Sequence, residues 1–170
     1  MLNRKVWWVG FFYLGIRKPG MQEEEKKSPF EKLSDEQLMA LCIYGEARDQ
    51  GLDGMLAVGS VVMNRLRRQT WMGKTVKEVI LKRYQFSCFN ETDPNRKLLA
   101  LAADDFQGAT ERDGWLRAAY WVAIGILDHY LASNVAMATN YFRPSANAAD
   151  PSWTKEMQFI KKIGDHFFYV

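Results

Sequence analysis

The stretch LCIYGEARDQG, residues 41–51, decides how the chain is interpreted, because it puts one carboxylate at the end of an apolar helical pattern. Ser34 and Gln37 precede it with the spacing of a capping box, which predicts the start of the helix. Glu46 then lies near the helix C-terminus, where the negative end of the helix dipole disfavours a carboxylate's charge. In an apolar cleft, desolvation adds to this effect and favours the protonated form that a general acid needs. The alternative is a solvated helix-end residue paired with Arg48.

Length and composition indicate one globular domain. The chain has 170 residues, of which 48% are apolar and 25% charged, values typical of soluble globular proteins. Its net charge of +3 is compatible with weak attraction to a polyanion or a membrane surface. That charge is too small, and too evenly spread, to indicate a nucleic-acid partner.

Cysteine and histidine usage narrows the possible chemistry. Cys42 and Cys88 both stand in apolar surroundings, so we expect buried free thiols, with a single disulfide as the alternative. His129 and His166 belong to no metal-ligand motif, so we expect neither a metal site nor a cofactor. The remaining candidates for catalysis are carboxylate, serine and tyrosine side chains.

The first 27 residues predict a separate N-terminal segment, with the main domain over residues 28–170. An apolar run of eleven residues, Val6–Ile16, is shorter than the roughly 20 residues that span a bilayer. Arg17-Lys18-Pro19 follows it where a signal peptide would have small residues. Three interpretations stay open: an export or membrane-surface signal, a docking segment for a partner, or a strand packed on the chain's own domain.

Patterning predicts a mainly helical α+β fold. The other predicted elements are, in chain order, a helix over 51–68, a short helix over 75–83 with a Thr75/Glu78 capping box, a loop over 84–105, a buried helix over 112–132 that is apolar nearly all round, an irregular stretch over 138–153, and two strands over 157–170 joined at Gly164-Asp165.

Two stretches mix aromatic and amide side chains. YQFSCFNETDPNR (84–96) and TNYFRP (139–144) combine rings, which stack on sugar C–H faces, with planar amides, which hydrogen-bond to hydroxyl and acetamido groups. This mixture is typical of a glycan-binding cleft. A loop pinned in place by its aromatic side chains is the alternative for the first stretch.

Taken together, the motifs resemble the SleB/CwlJ family of bacterial cell-wall hydrolases, which includes spore-cortex lytic enzymes and phage muralytic proteins. The resemblance extends from about Leu38 to Tyr169. It rests on the following blocks, in this order: IYGEARDQGLDGMLAVGSVVMNRL (43–66), YQFSCFNETDPNR (84–96), NYFRP (140–144), DPSW (150–153) and IGDHFFY (163–169).

The resemblance implies a lysozyme-like, lytic-transglycosylase-like fold with a small C-terminal β-hairpin, acting on peptidoglycan glycan strands. The family's catalytic glutamate maps onto Glu46. Many members have a His-Tyr pair where this chain has Asn140-Tyr141, so the tyrosine carries over and the histidine does not. The substrate-binding candidates are Tyr44, Gln85, Phe86, Ser87, Asn140 and Tyr141.

The expected reaction is cleavage of the β-1,4 bond between N-acetylmuramic acid and N-acetylglucosamine by Glu46 alone, giving 1,6-anhydro ends. One alternative is hydrolysis with a second carboxylate, Glu91 or Asp93 and less favourably Asp128. Another is a glycan-binding or virion structural module without turnover. We expect action in the bacterial wall or periplasm after export or delivery by a phage particle, with residues 1–20 as a docking or anchoring segment.

Overall fold

The computed structural model describes residues 28–170, so the expectations for the N-terminal segment, residues 1–27, lie outside the described residues. Between residues 28 and 170, no helix is both long and apolar enough to cross a membrane. This part of the chain forms a mainly helical α+β fold, and that prediction is confirmed.

The described residues contain six α-helices and three strands. Their bounds are α1 Asp35–Ala47, α2 Gly51–Arg68, α3 Val76–Leu81, α4 Asn95–Asp104, α5 Phe106–Arg112, α6 Gly114–Leu127, β1 Asn140–Phe142, β2 Phe159–Ile163 and β3 His166–Tyr169. Short 3-10 helices occupy Ser87–Phe89 and Ser152–Lys155.

Helix α1 is the centre of the core. Its predicted capping box is present, because the Ser34 hydroxyl accepts from the Gln37 backbone N–H (3.3 Å) and the Gln37 side chain accepts from the Ser34 N–H (3.1 Å). Residues 38–44 are all buried, so the helix is covered on every side along this stretch. It packs against α2, α3, α4 and α6. The orientation of its last turn is therefore set by most of the helical core.

Helices α1, α2 and α6 approach one another closely at Gly59. A Cβ atom at this position would lie 2.4 Å from Ile126 Cδ1 and 3.0 Å from Ile43 Cδ1. Both isoleucines are buried, so neither side chain can move into solvent to make room. The absence of a side chain at residue 59 permits this three-helix crossing.

The sheet is antiparallel with strand order β1-β3-β2. The hairpin predicted at Gly164-Asp165 joins β2 to β3 and is confirmed. Residues Asn140–Phe142, predicted as irregular, form β1 and pair with β3, with Tyr141 opposite Phe168. Three residues are too few to show alternation in a sequence, which explains the error. Phe168 is fully buried and belongs to a second apolar cluster with Val61 of α2, so the sheet is attached to the helices there.

The loop predicted over residues 84–105 is wrong. This stretch contains the 3-10 helix Ser87–Phe89 and helix α4. Pro94 immediately precedes α4, where a proline's missing N–H costs nothing. The Asp93 carboxylate accepts the Asn95 N–H (2.8 Å) and helps to start the helix.

Two further helix predictions need correction. The long buried helix ends at Leu127, and Trp115 and Trp121 on it are 53% and 67% exposed, so α6 is buried on one face only. Residues Phe106–Arg112 form the separate helix α5. The capping box before α3 is half formed, since the Glu78 carboxylate accepts the N–H of Lys74 instead of that of Thr75.

Replacing Gly59 by valine should destabilise the fold, because overpacking a tight helix crossing typically costs about 1–3 kcal/mol. Urea unfolding measures this loss. Gly114→Ala is the control, since a Cβ there meets its nearest neighbour, an Arg117 nitrogen, at 3.6 Å. Equal stabilities of the two variants would show that the crossing tolerates a side chain.

Candidate active site

Glu46 lies in the last turn of α1, half-buried, with its side chain in a cleft of about 390 Å3. That volume falls within the range of roughly 300–1,000 Å3 typical of ligand sites. The end of α1, helix α2, residues 84–87, β1 and β3 all contribute to its walls. The cleft therefore forms where the helical core meets the small sheet.

Three hydrogen-bond donors hold the Glu46 carboxylate in one orientation. Its Oε1 accepts the Ser87 hydroxyl at 3.1 Å and the Cys88 backbone N–H at 2.9 Å, and its Oε2 accepts the Tyr141 hydroxyl at 2.9 Å. Among residues 28–170, no cation forms an ion pair with Glu46. Arg48 turns instead to the Asn95 side-chain oxygen (2.8 Å), so the solvated Glu46–Arg48 pair is not what the structure contains.

Gly45 makes the Cys88 contact possible. A Cβ at residue 45 would lie 2.8 Å from both Cβ and Sγ of Cys88, so only a glycine lets the 3-10 helix Ser87–Phe89 pack this closely against α1. Cys88 and Cys42 are free and fully buried, as predicted. Burial raises the pKa of both thiols, which keeps them protonated and unreactive. Cys88 thus serves the site through its backbone.

Tyr141 supports Glu46 from the sheet. Its ring packs edge-on against His166 (centroids 5.2 Å apart) and at a tilt against Phe168 (5.5 Å). Burial, and next the negative charge of Glu46, raise the pKa of Tyr141 well above its usual value. The phenol therefore stays protonated and can both donate and accept a hydrogen bond.

Arg65 of α2 holds two walls of the cleft together. Its Nε donates to the Thr139 carbonyl at 2.7 Å and its Nη1 to the Gln85 carbonyl at 3.2 Å. The guanidinium lies over the Phe86 ring, 4.7 Å from the centroid. Burial lowers the pKa of Arg65 from its usual value. The sequence contains a signal for this role, since Arg65 is three residues after Val62 on the apolar stripe of α2.

Two other cleft residues, His166 and Arg143, were not among the sequence-based candidates. His166 is 6% exposed, and within the described residues its Nδ1 has no hydrogen-bond partner. Burial lowers the pKa of His166. Arg143 is exposed at the rim and pairs with Asp49 (3.1 Å) and Asp165 (2.5 Å), joining the end of α1 to the hairpin turn.

Four of the predicted site residues meet at the cleft: Glu46, Gln85, Ser87 and Tyr141. The other three lie elsewhere. Phe86 is fully buried beneath the cleft. The Tyr44 hydroxyl donates to Asp113 (2.6 Å), the N-cap of α6, and burial with this contact raises the pKa of Tyr44 to about 12. Asn140 is on β1 next to Tyr141, so strand alternation directs its side chain to the opposite face.

Within residues 28–170, no three His, Cys, Asp or Glu side chains come close enough together to hold a metal ion. The chemical groups that the cleft does offer are one carboxylate, hydroxyl donors, an imidazole and a buried guanidinium.

Sequence comparison relates the chain to wall-degrading proteins. The sequence profile of a family described as Cell Wall Hydrolase matches residues 49–169, beginning just after Glu46. A spore cortex-lytic enzyme from Oceanobacillus iheyensis is 30% identical over 139 residues, which is 79% of this chain and 41% of that protein. The spore cortex-lytic enzyme of Halalkalibacterium halodurans is 31% identical, over 79% of this chain and 34% of that protein. The chain thus spans less than half the length of these relatives.

Solved structures give the same relationship. The catalytic domain of the Bacillus cereus SleB protein has a TM-score of 0.55 and 26% identity, covering 80% of this chain and 89% of that one. The catalytic domain of the germination-specific lytic transglycosylase SleB from Bacillus anthracis also has a TM-score of 0.55, with 25% identity over 82% of this chain and 98% of that one. The predicted lysozyme-like fold is confirmed by these neighbours.

The lowered pKa of His166 predicts a pH-dependent stability. At His166, the folded state binds fewer protons than the unfolded chain. The resulting contribution to the free energy of unfolding is complete above the ordinary histidine pKa of about 6.5 and is lost as the pH falls below that value. Urea unfolding between pH 7 and pH 5 should therefore show a smaller loss of stability for His166→Phe than for the wild type. His129→Asn, at an exposed histidine, is the control and should lose as much as the wild type. Equal losses in all three proteins would contradict this prediction.

Proposed function

Because the chain belongs to the Cell Wall Hydrolase family, we propose that it cleaves peptidoglycan strands at the β-1,4 bond between N-acetylmuramic acid and N-acetylglucosamine. The observation that carries the proposal is the Glu46 carboxylate, held in a cleft by donors from the 3-10 helix Ser87–Phe89 and from β1. The relatives support the choice of substrate, since they are named spore cortex-lytic enzymes and a lytic transglycosylase.

The hydrogen bonds of Glu46 support one assignment for the oxygen that carries the acidic proton in the proposed reaction. Oε1 faces the Cys88 backbone N–H, which can only donate, so a proton on this oxygen would lose that bond. Oε2 faces the Tyr141 hydroxyl, which can rotate and accept instead. The proton therefore resides on Oε2, from which it passes to the glycosidic oxygen as the bond breaks.

The second half of the reaction uses the same carboxylate. As the muramoyl C1 becomes electron-poor, the substrate's own acetamido oxygen stabilises it, while all three donors stabilise the ionised Glu46. Glu46 then removes the proton of the muramoyl C6 hydroxyl, and that oxygen bonds to C1. The products are a 1,6-anhydromuramoyl end and a free N-acetylglucosamine 4-hydroxyl, and no water is consumed.

The distribution of carboxylates favours this route over hydrolysis with two carboxylates. Among residues 28–170, Glu46 is the only acidic residue that lines the cleft. Glu91 lines a neighbouring cavity, Asp93 caps α4, and Asp128 is exposed at the end of α6. In hydrolysis, the second carboxylate would have to hold a water molecule in the cleft, and none of these three side chains lines the cleft.

The proposal extends to the biological setting. We place the protein in the bacterial wall, as an exported enzyme or one delivered by a phage, acting in lysis or as a virion-associated protein. Residues 1–20, with their basic and apolar pattern, are the candidate docking or anchoring segment, and residues 28–170 the catalytic domain. A module that only binds glycan has little use for a carboxyl group so closely surrounded by donors.

Glu46→Gln should lower the rate of wall cleavage by at least about 10²-fold, because the amide keeps the shape of the side chain and cannot donate an acidic proton. Loss of turbidity of purified peptidoglycan measures the rate, and thermal unfolding checks that the variant is folded. Glu111→Gln, at an exposed glutamate of α5 that lines neither the cleft nor its neighbouring cavities, is the matched control and should keep near-normal activity. Near-normal cleavage by Glu46→Gln would refute the proposed role of Glu46.

Digested muropeptides should end in anhydromuramoyl groups, which are lighter by one water than the ends left by hydrolysis. Mass spectrometry of the soluble products separates the two outcomes. Predominantly reducing ends would show that water enters the reaction, and the single-carboxylate route would then be excluded.

A further inference from the structure

Two cavities lie next to the Glu46 cleft on the protein surface. The first, of about 600 Å3, shares Tyr84 with the cleft. The second, of about 470 Å3, shares Leu81 and Lys82 with the first and has Trp71 in its wall. We call these two cavities together the Trp71 groove. The groove is therefore adjacent to the cleft, with Tyr84 as a wall residue of both.

Two large aromatic side chains in the walls of the groove are exposed. Tyr84, which also lines the cleft, is 71% exposed, and Trp71 is 66% exposed. Each ring has a cation beside it, Arg83 at 4.7 Å from the Tyr84 centroid and Lys82 at 5.8 Å from the Trp71 centroid. These contacts orient the rings and leave most of their surface open. Exposed rings in a concave wall are suited to stacking against the C–H faces of sugars.

The backbone at Tyr84 supports a functional role for its ring. Its φ of +67° lies in the left-handed region, which is uncommon for a bulky side chain. Such a conformation is energetically unfavourable and is concentrated at functional sites. Here the strained residue presents its ring at the boundary between the cleft and the groove.

The groove is also rich in positive charge. Five basic residues line it, against the three acidic residues Glu31, Glu78 and Glu91. Those basic residues are Lys74, Lys77, Lys82, Arg83 and Arg96. Within residues 28–170, none of them forms an ion pair with a carboxylate. Their charges are thus available to an anionic ligand.

We propose that the Trp71 groove binds the continuation of the peptidoglycan strand beyond the cleaved bond, and this rests on the proposed function. Sugar rings stack on Tyr84 and Trp71, and the carboxylates of the peptides attached to the muramoyl residues bind to Lys82 and its basic neighbours. Two observations select this occupant: the groove is adjacent to the cleft, with Tyr84 lining both, and its positive charge matches the anionic stem peptides.

Cosedimentation with purified peptidoglycan tests the aromatic part, with the full-length Glu46→Gln variant as the starting protein so that the polymer is not degraded. Adding Trp71→Ala should weaken binding roughly threefold to tenfold, as expected for loss of one aromatic contact. Adding Trp121→Ala is the matched control, since Trp121 is 67% exposed on α6 and lies outside the groove, and binding should not change. Equal binding by the two double variants would overturn the proposal.

The charged part is tested with two lysines in similar contacts. Lys82→Gln should weaken binding to intact peptidoglycan and have little effect on strands whose stem peptides an amidase has removed. Lys162→Gln is the control and should change binding to neither kind of strand. Lys162 lies on β2, 5.5 Å from the centroid of the Phe167 ring. Equal effects of Lys82→Gln on intact and stripped strands would refute recognition of stem-peptide carboxylates. A loss confined to vesicles containing anionic phospholipid would identify a membrane surface and overturn the proposal.

These outcomes are independent of the outcome for catalysis. Full cleavage by Glu46→Gln would refute the proposed reaction, and Trp71 dependence could then be measured as the KM of turnover. Conversely, if neither Trp71→Ala nor Lys82→Gln changes binding, the proposed binding of the strand by the Trp71 groove is refuted. The proposed role of Glu46 is then unaffected.

Discussion

The site depends on one contact, the hydrogen bond from the Cys88 backbone N–H to Glu46 Oε1. It forms because Gly45 has no side chain to keep the 3-10 helix Ser87–Phe89 away from α1. A fixed N–H can only donate, so in the proposed reaction the two oxygens of the carboxylate have separate tasks. Oε1 is held by this bond, and Oε2, beside the Tyr141 hydroxyl, would transfer the proton. A single backbone donor thus links the packing of the core to the proposed chemistry.

Much of the fold follows from local patterns whose physical cause lies within a few residues. The capping box at Ser34 and the hairpin at Gly164-Asp165 are examples, because a cap or a tight turn is satisfied by its immediate neighbours. Strand β1 could not be predicted in this way, since its three residues are ordered by pairing with β3, far away in the sequence. Helix α4 was missed for a related reason, because the effect of a proline such as Pro94 depends on whether it begins a helix or interrupts one.

The candidate site was predicted in part. Glu46, Gln85, Ser87 and Tyr141 stand in motifs typical of glycan chemistry, and the structure brings them together. Tyr44 and Phe86 stand in the same motifs, but an aromatic side chain can equally be part of the core, and their sequence neighbours do not distinguish the two cases. Arg65 and His166 were missed because their roles arise from contacts across the fold, with Thr139 for one and with Tyr141 for the other.

The hydrogen bonds that Arg65 makes to two walls of the cleft also oppose opening of the cleft. Widening the gap between Gln85 and Thr139 would break hydrogen bonds of the buried Arg65 guanidinium, and a hydrogen bond to a charged group typically contributes about 1.5–3 kcal/mol. Both walls are thus bound to the same residue of helix α2, which opposes any change in the distance between them. If the cleft binds a glycan strand as proposed, the strand and not the protein has to change its shape as it enters.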